Sequence, residues 1–186
     1  MQLLKYENIV SENIEENFIN DFKRKFYKIK EENKYNEVLF LCVGTDRITG
    51  DCFGPIVGTK LSKELEEYNF SNINVYGTLE NPLNYEKVEK IIQKINEKVC
   101  LIVIDAALSK KENIGKIFVS NQKTILGKGL NKNKLEIGDI SVKAVVGKDY
   151  KIPQYNFKVL QNISLNAVIS LSEIVSKGII KTIKEV

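Results

Sequence analysis

The chain of 186 residues contains no histidine and no tryptophan, one methionine, three prolines and three cysteines. The missing histidine excludes the most. It removes Ser-His-Asp and Cys-His nucleophiles, HExxH zinc sites and every histidine-ligated metal. Proton transfer near neutral pH then falls to carboxylates, Lys, Tyr or Cys. An excess of one charge is also lacking, because 28 Lys+Arg against 24 Asp+Glu leave only +4. That balance is too mild to call for nucleic acid, and most lysines read as solvated faces. No apolar run approaches the length that spans a bilayer, so no membrane partner is expected. Residues 1–10 show no basic stretch followed by an apolar core, as a signal peptide would. The odd cysteine count, with Cys42 and Cys100 inside apolar runs, reads as reduced thiols in a cytoplasmic protein. A Gly-x-Gly-x-x-Gly fingerprint is absent. The nearest approach to a Walker loop, Gly44 to Asp51, has an acid where the lysine should stand. No cofactor is called for.

What is present is an ordinary globular composition. An apolar fraction of 43% supports a real core and one domain over 1–186, with a helical segment, 1–36, packing on an α/β core, 37–186. The core is organised around Val38 to Pro55. Val38 to Val43 are six apolar residues in a row, too short for a helix and suited to a strand buried on both faces. A polar, Gly-punctuated turn follows, carrying Asp46 and Asp51. After Pro55, Val57, Leu61 and Leu65 repeat at helical spacing.

The rest of the chain alternates in the same way. Glu12 to about Lys30 reads as a helix with Ser11 as N-cap, because Ile14, Phe18, Phe22 and Phe26 recur every fourth residue. It packs on the sheet or, as the alternative, forms an oligomer contact. Ile73 to Gly77 is a second strand, Tyr85 to Glu97 a helix, and Val99 to Ile104 a third strand ending directly at Asp105. Lys116 to Ser120 and Ile140 to Val146 are further strands, separated by a long polar loop, Asn121 to Glu136, that holds a lysine-rich segment. Val159 and Leu160 end a last short strand. A helix runs from about Ser164 to Lys184, where Gly178 marks a kink or a close contact. Alternating strands and helices predict a three-layer α/β/α fold with a mostly parallel sheet.

In such a sheet strand one lies between strands two and three, and ligands bind where the order reverses, at the carboxyl ends. Asp51 and Asp105 converge on that crevice, with Asp46 in the same turn and Glu80 in the loop after strand two. Two carboxylates sharing a site cannot both ionise cheaply, so one becomes acid and the other base. Alternatives stand beside each residue. Asp51 could cap the following helix, Asp46 could pair with Arg47, and Asp139 could be a turn residue. Cys52 has no histidine to activate it and acids beside it, which disfavours a thiolate. A carboxylate cluster could also hold Mg²⁺ or Ca²⁺.

One stretch carries a family likeness. Cys42-Val43-Gly44-Thr45-Asp46-Arg47-Ile48-Thr49-Gly50-Asp51-Cys52-Phe53-Gly54-Pro55 resembles the signature of YyaC-type sporulation proteins. Gly77 to Pro82, Ile104-Asp105-Ala106, Gly138-Asp139-Ile140 and Leu160-Gln161-Asn162 resemble further segments. That family is similar to the spore germination protease, which degrades small acid-soluble spore proteins, and more distantly to hydrogenase maturation peptidases. The resemblance implies a phosphorylase/hydrolase-like fold and an atypical aspartic-type peptidase in the cytoplasm of a spore-forming bacterium. It implies catalytic roles for Asp51 and Asp105, assistance from Asp46, and a protein or peptide substrate near Gly44, Thr45, Glu80 and Asp139. The maturation peptidases also use a histidine, which this chain does not have. A non-catalytic sporulation factor that binds a peptide in the same crevice is the alternative.

Overall fold

The computed structural model describes residues 13–68, 70–126 and 135–185. Its centre is a five-stranded sheet of β1 (Glu37–Cys42), β2 (Ile73–Tyr76), β3 (Val99–Ser109), β4 (Ile117–Ser120) and β7 (Ile140–Lys148) in the order β2-β1-β3-β7-β4. All neighbours run parallel except β4, which pairs antiparallel with β7 at one edge. Strand one is therefore flanked by strands two and three, and the order reverses between β1 and β3.

The sheet is covered on both faces, as its apolar strands require. Phe40, Cys42, Ile102, Ile104, Val142 and Ala144 face one core, built with α1 (Ile14–Asn33), α2 (Phe53–Tyr68) and α5 (Leu165–Ile183). Leu39, Leu41, Leu101 and Val103 face a second, smaller core with α3 (Tyr85–Ile92) and the two-stranded hairpin β5 (Thr124–Leu126) and β6 (Leu135–Ile137). The predicted three-layer α/β/α arrangement with a mostly parallel sheet is what forms.

Helix α1 lies against α5 and β4. Its buried stripe is Phe18, Phe22, Phe26 and Ile29, and the three rings stack at 5.7 Å from one to the next. It runs three residues past the predicted end at Lys30. Its predicted N-cap, Ser11, and the lysine-rich segment of residues 128–134 lie outside the described residues. Gly178 marks a close contact: a Cβ there would meet the Phe18 ring at 2.7 and 2.8 Å.

Several expected elements differ. Helix α3 stops at Ile92 rather than Glu97. The expected loop of 121–136 contains β5 and β6, each only three residues long. Val159 and Leu160 belong to a helix, α4 (Pro153–Gln161), not to a strand; Pro153 suits its first turn. Most consequentially, β3 does not end at Asp105. It continues to Ser109 because β7 keeps pairing with it after β1 has ended. Among the described residues no single helix is long and apolar enough to cross a membrane.

Candidate active site

The crevice opens where β1 stops and β3 goes on. The last register pair between them is Cys42 with Ile104, and the Val43 N–H still donates to the Ile104 carbonyl at 2.8 Å. The chain then changes partner. Val43 bridges Leu83, and the Gly44 N–H donates to the Leu83 carbonyl at 3.1 Å. Asp105 is thus the first residue of β3 beyond its pairing with β1. Strand alternation puts it on the face of Leu101 and Val103, the side of the smaller core.

The turn after β1 is built to pass close to the start of α2. Gly44 sits at φ +146°, and a Cβ there would lie 2.1 Å from the Asp51 carbonyl oxygen. That carbonyl accepts from the Thr45 N–H at 3.2 Å. Thr49–Cys52 form a 3-10 turn leading straight into α2, and Asp51 is its third residue. The residue before this turn is Ile48, and Asp51 lies inside the turn rather than at the capping position ahead of it.

Both aspartates are half-buried, and burial is the main influence on each. It pushes the Asp51 carboxyl up to about 6, with the Thr45 backbone N–H pulling the other way. Asp105 is pushed up to about 7 by burial and then by the negative charge of Asp51; the Lys143 ammonium and the Ala106 N–H oppose the rise. The two carboxyls therefore feel one another. Between about pH 6 and 7 the pair carries one proton, mainly on Asp105. The amino end of α2 also favours negative charge on Asp51.

The other predicted residues are placed differently. Asp46 is exposed, with the Thr45 hydroxyl 3.4 Å from Oδ1. Burial first, then the charges of Asp46 and Asp51, push the Cys52 thiol up, which works against a nucleophilic thiolate. Gly44 and Thr45 shape the turn. Glu80 is exposed in the loop that Leu83 ties to the end of β1. Asp139 is not in the crevice. It precedes β7 at the sheet's opposite end, where its carboxylate accepts from the Tyr35 hydroxyl at 2.9 Å and the Leu101 N–H at 2.8 Å. Leu101 is four residues before Asp105, about 13 Å along an extended strand. A turn that enters a parallel strand must lie at the end where its neighbour also begins, so Asp139 holds structure there.

Lys143 is the residue that the sequence reading missed. It stands in register with Asp105 on the adjacent strand and is half-buried. A lysine inside an otherwise apolar strand was the available signal. Among the described residues no group of three or more His, Cys, Asp or Glu could hold a metal ion.

The family model for a protein of unknown function, DUF1256, matches residues 6–178. The chain belongs to this family. A DUF1256 relative is the uncharacterized protein YyaC of Bacillus subtilis, 30% identical over 145 residues, covering 76% of this chain and 67% of that protein. The likeness to YyaC expected from the Cys42 to Pro55 stretch is thereby borne out. Among solved structures, the DUF1256 chain resembles the [NiFe] hydrogenase maturation protease HycI from Thermococcus kodakarensis KOD1. The TM-score is 0.54 at 14% identity, over 84% of this chain and 99% of that one. The hydrogenase maturating endopeptidase HybD from E. coli aligns with TM-score 0.44 at 14% identity, over 80% of this chain and 93% of that one. At such identity the HycI match establishes a shared, protease-like fold for the DUF1256 chain, and the chemistry must be argued from its own residues.

Proposed function

We propose that this protein is a peptidase in which Asp51 and Asp105 form an acid–base pair. One observation supports it above the rest: two half-buried aspartates, from the turn after β1 and from β3, meet at the point where the strand order reverses, near enough for the Asp51 charge to raise Asp105. In the singly protonated pair, ionised Asp51 removes a proton from a water as its oxygen attacks the scissile carbonyl carbon. Asp105 gives its proton to the carbonyl oxygen. Collapse of the tetrahedral intermediate passes a proton to the amide nitrogen, breaks the C–N bond and leaves a carboxylate and an amine. Gly44 and Thr45 line the approach from the turn, Glu80 that from the loop after β2, and Asp46 adds negative charge at the rim. The resemblance of the Cys42 to Pro55 stretch to YyaC-type sporulation proteins favours a sporulation setting, and a protein or peptide substrate in the cytoplasm is part of the same proposal.

Mass spectrometry tests this directly. The protein and its Asp51→Asn and Asp105→Asn variants are incubated with small acid-soluble spore proteins and a mixed peptide pool from pH 5 to 8. Defined fragments should come from the wild type, with a narrow bell-shaped profile whose limbs lie near 6 and 7. Either variant should lose about 10²- to 10⁴-fold, the usual share of acid–base catalysis. No fragments at any pH from folded protein would turn the crevice into a peptide-binding surface.

A further inference from the structure

The crevice contains a cation that hydrolysis as written does not use. Lys143 pairs in register with Asp105 between strands β3 and β7. Side chains alternate along a strand, so Lys143 shares a face with Ser141 and Val145, while Ile140, Val142, Ala144 and Val146 fill the larger core. Its neighbours Val142 and Ala144 are fully buried. A lysine in such a strand forfeits part of its hydration, and it ordinarily recovers this through a carboxylate partner. Among the described residues the Lys143 side chain makes no ion pair and no hydrogen bond, while its backbone pairs with β3 and β4. Its charge nevertheless reaches Asp105.

We propose that Lys143 is the positioning residue of this site: from the adjacent strand its ammonium balances the negative charge that Asp51 and Asp105 share and sets the pH at which Asp105 gives up its proton. The groups around Asp105 leave it this role. Asp51 approaches from the turn as a like charge. Asp46 and Cys52 lie further along that turn, Glu80 is exposed on the loop after β2, and Cys42 belongs to the opposite face of β1. Arg47, the cation of the turn, is exposed. Lys143 is the cation whose charge opposes the rise at Asp105. The electrostatic role stands on strand register alone; its kinetic consequence rests on the peptidase reading.

Carboxyl-detected NMR titration of the full chain separates the two. Replacing Lys143 by Met should raise the Asp105 midpoint by about one unit, as loss of a nearby opposite charge does. Lys143→Arg should restore it, and Asp139, about 13 Å away along β3, should not move in either variant. In the unmodified chain the Lys143 Nζ signal should shift with the midpoint of Asp105, which keeps the test open if Lys143→Met does not fold. An unmoved Asp105 midpoint, an equal shift at Asp139, or an Nζ signal blind to Asp105 would each overturn the proposal. If the wild type cleaves peptides, Lys143→Met should also move the alkaline limb of the rate profile upward and lower kcat more than it changes KM, with Lys143→Arg as rescue. If nothing is cleaved, the peptidase reading falls, and the titration still decides the role of Lys143.

Discussion

At the scale of single residues, the buried carboxyls tie the site to stability. Asp51 and Asp105 rise from an ordinary 3.8 to about 6 and 7, so the folded chain holds protons that the unfolded chain releases. Folding takes up protons between about pH 4 and 7, and stability declines as the pH climbs through that window. An Asp51→Asn/Asp105→Asn double variant has no such decline. It should match the wild type near pH 4 and exceed it by several kcal/mol at pH 8 in urea unfolding. A constant difference across the pH range would contradict the shifts. Gly44 makes the opposite point. An alanine there meets the Asp51 carbonyl at 2.1 Å in a backbone region closed to side chains. Gly44→Ala should cost about 2 kcal/mol or more and displace Asp51, visible as a lowered urea midpoint. That Asp51 and Asp105 come together could be expected from the sequence, because sheet topology brings strand ends together. Asp139 misled because a Gly-Asp step before a strand says nothing about which end of the sheet it occupies. Lys143 stayed hidden because its meaning lies in register with Asp105, 38 residues earlier, which periodicity does not contain.

At the scale of elements, legibility followed burial. Strands β1 and β3 are apolar runs covered on both faces, and α1, α2 and α5 carry one buried stripe each, so their patterns announced them. Helix α4 buries none of its residues and shows no such stripe. Tyr155 and Phe157 are exposed, which makes the segment read as irregular or as a strand. Strands β5 and β6 are below the length at which alternation can be recognised. The end of β3 was misjudged because a charged residue closes an apolar run on paper, whereas pairing with β7 carries the strand onward. The contact of α1 with α5 yields its own test. Gly178→Ala should gain about 1 kcal/mol of helix propensity and lose more by driving a methyl into the Phe18 ring. The net effect should be a destabilisation of about 1 kcal/mol that Phe18→Leu relieves in a double-mutant cycle. Additive losses would show that α1 and α5 do not meet as tightly as described.

At the scale of the whole molecule, the place of β1 between β2 and β3 followed from alternating elements and right-handed crossovers, while the position of β7 and the antiparallel edge strand β4 did not. A short apolar segment carries no mark of direction. The same architecture distributes the three thiols at different depths of one machine. Cys42 and Cys100 are fully enclosed in β1 and β3, and Cys52 is buried in the turn beside Asp51. Burial pushes Cys100 up to about 12 and raises the other two as well. A thiol reagent can therefore reach each sulfur only after the chain has opened around it. The protein keeps two clocks: Cys42 and Cys100 should be alkylated together, at the pace of complete unfolding, and Cys52 sooner, at the pace at which the turn alone lifts from Gly44. Peptide mapping after timed alkylation would read both, and a single shared rate would mean that the turn after β1 never moves unless the whole sheet comes apart.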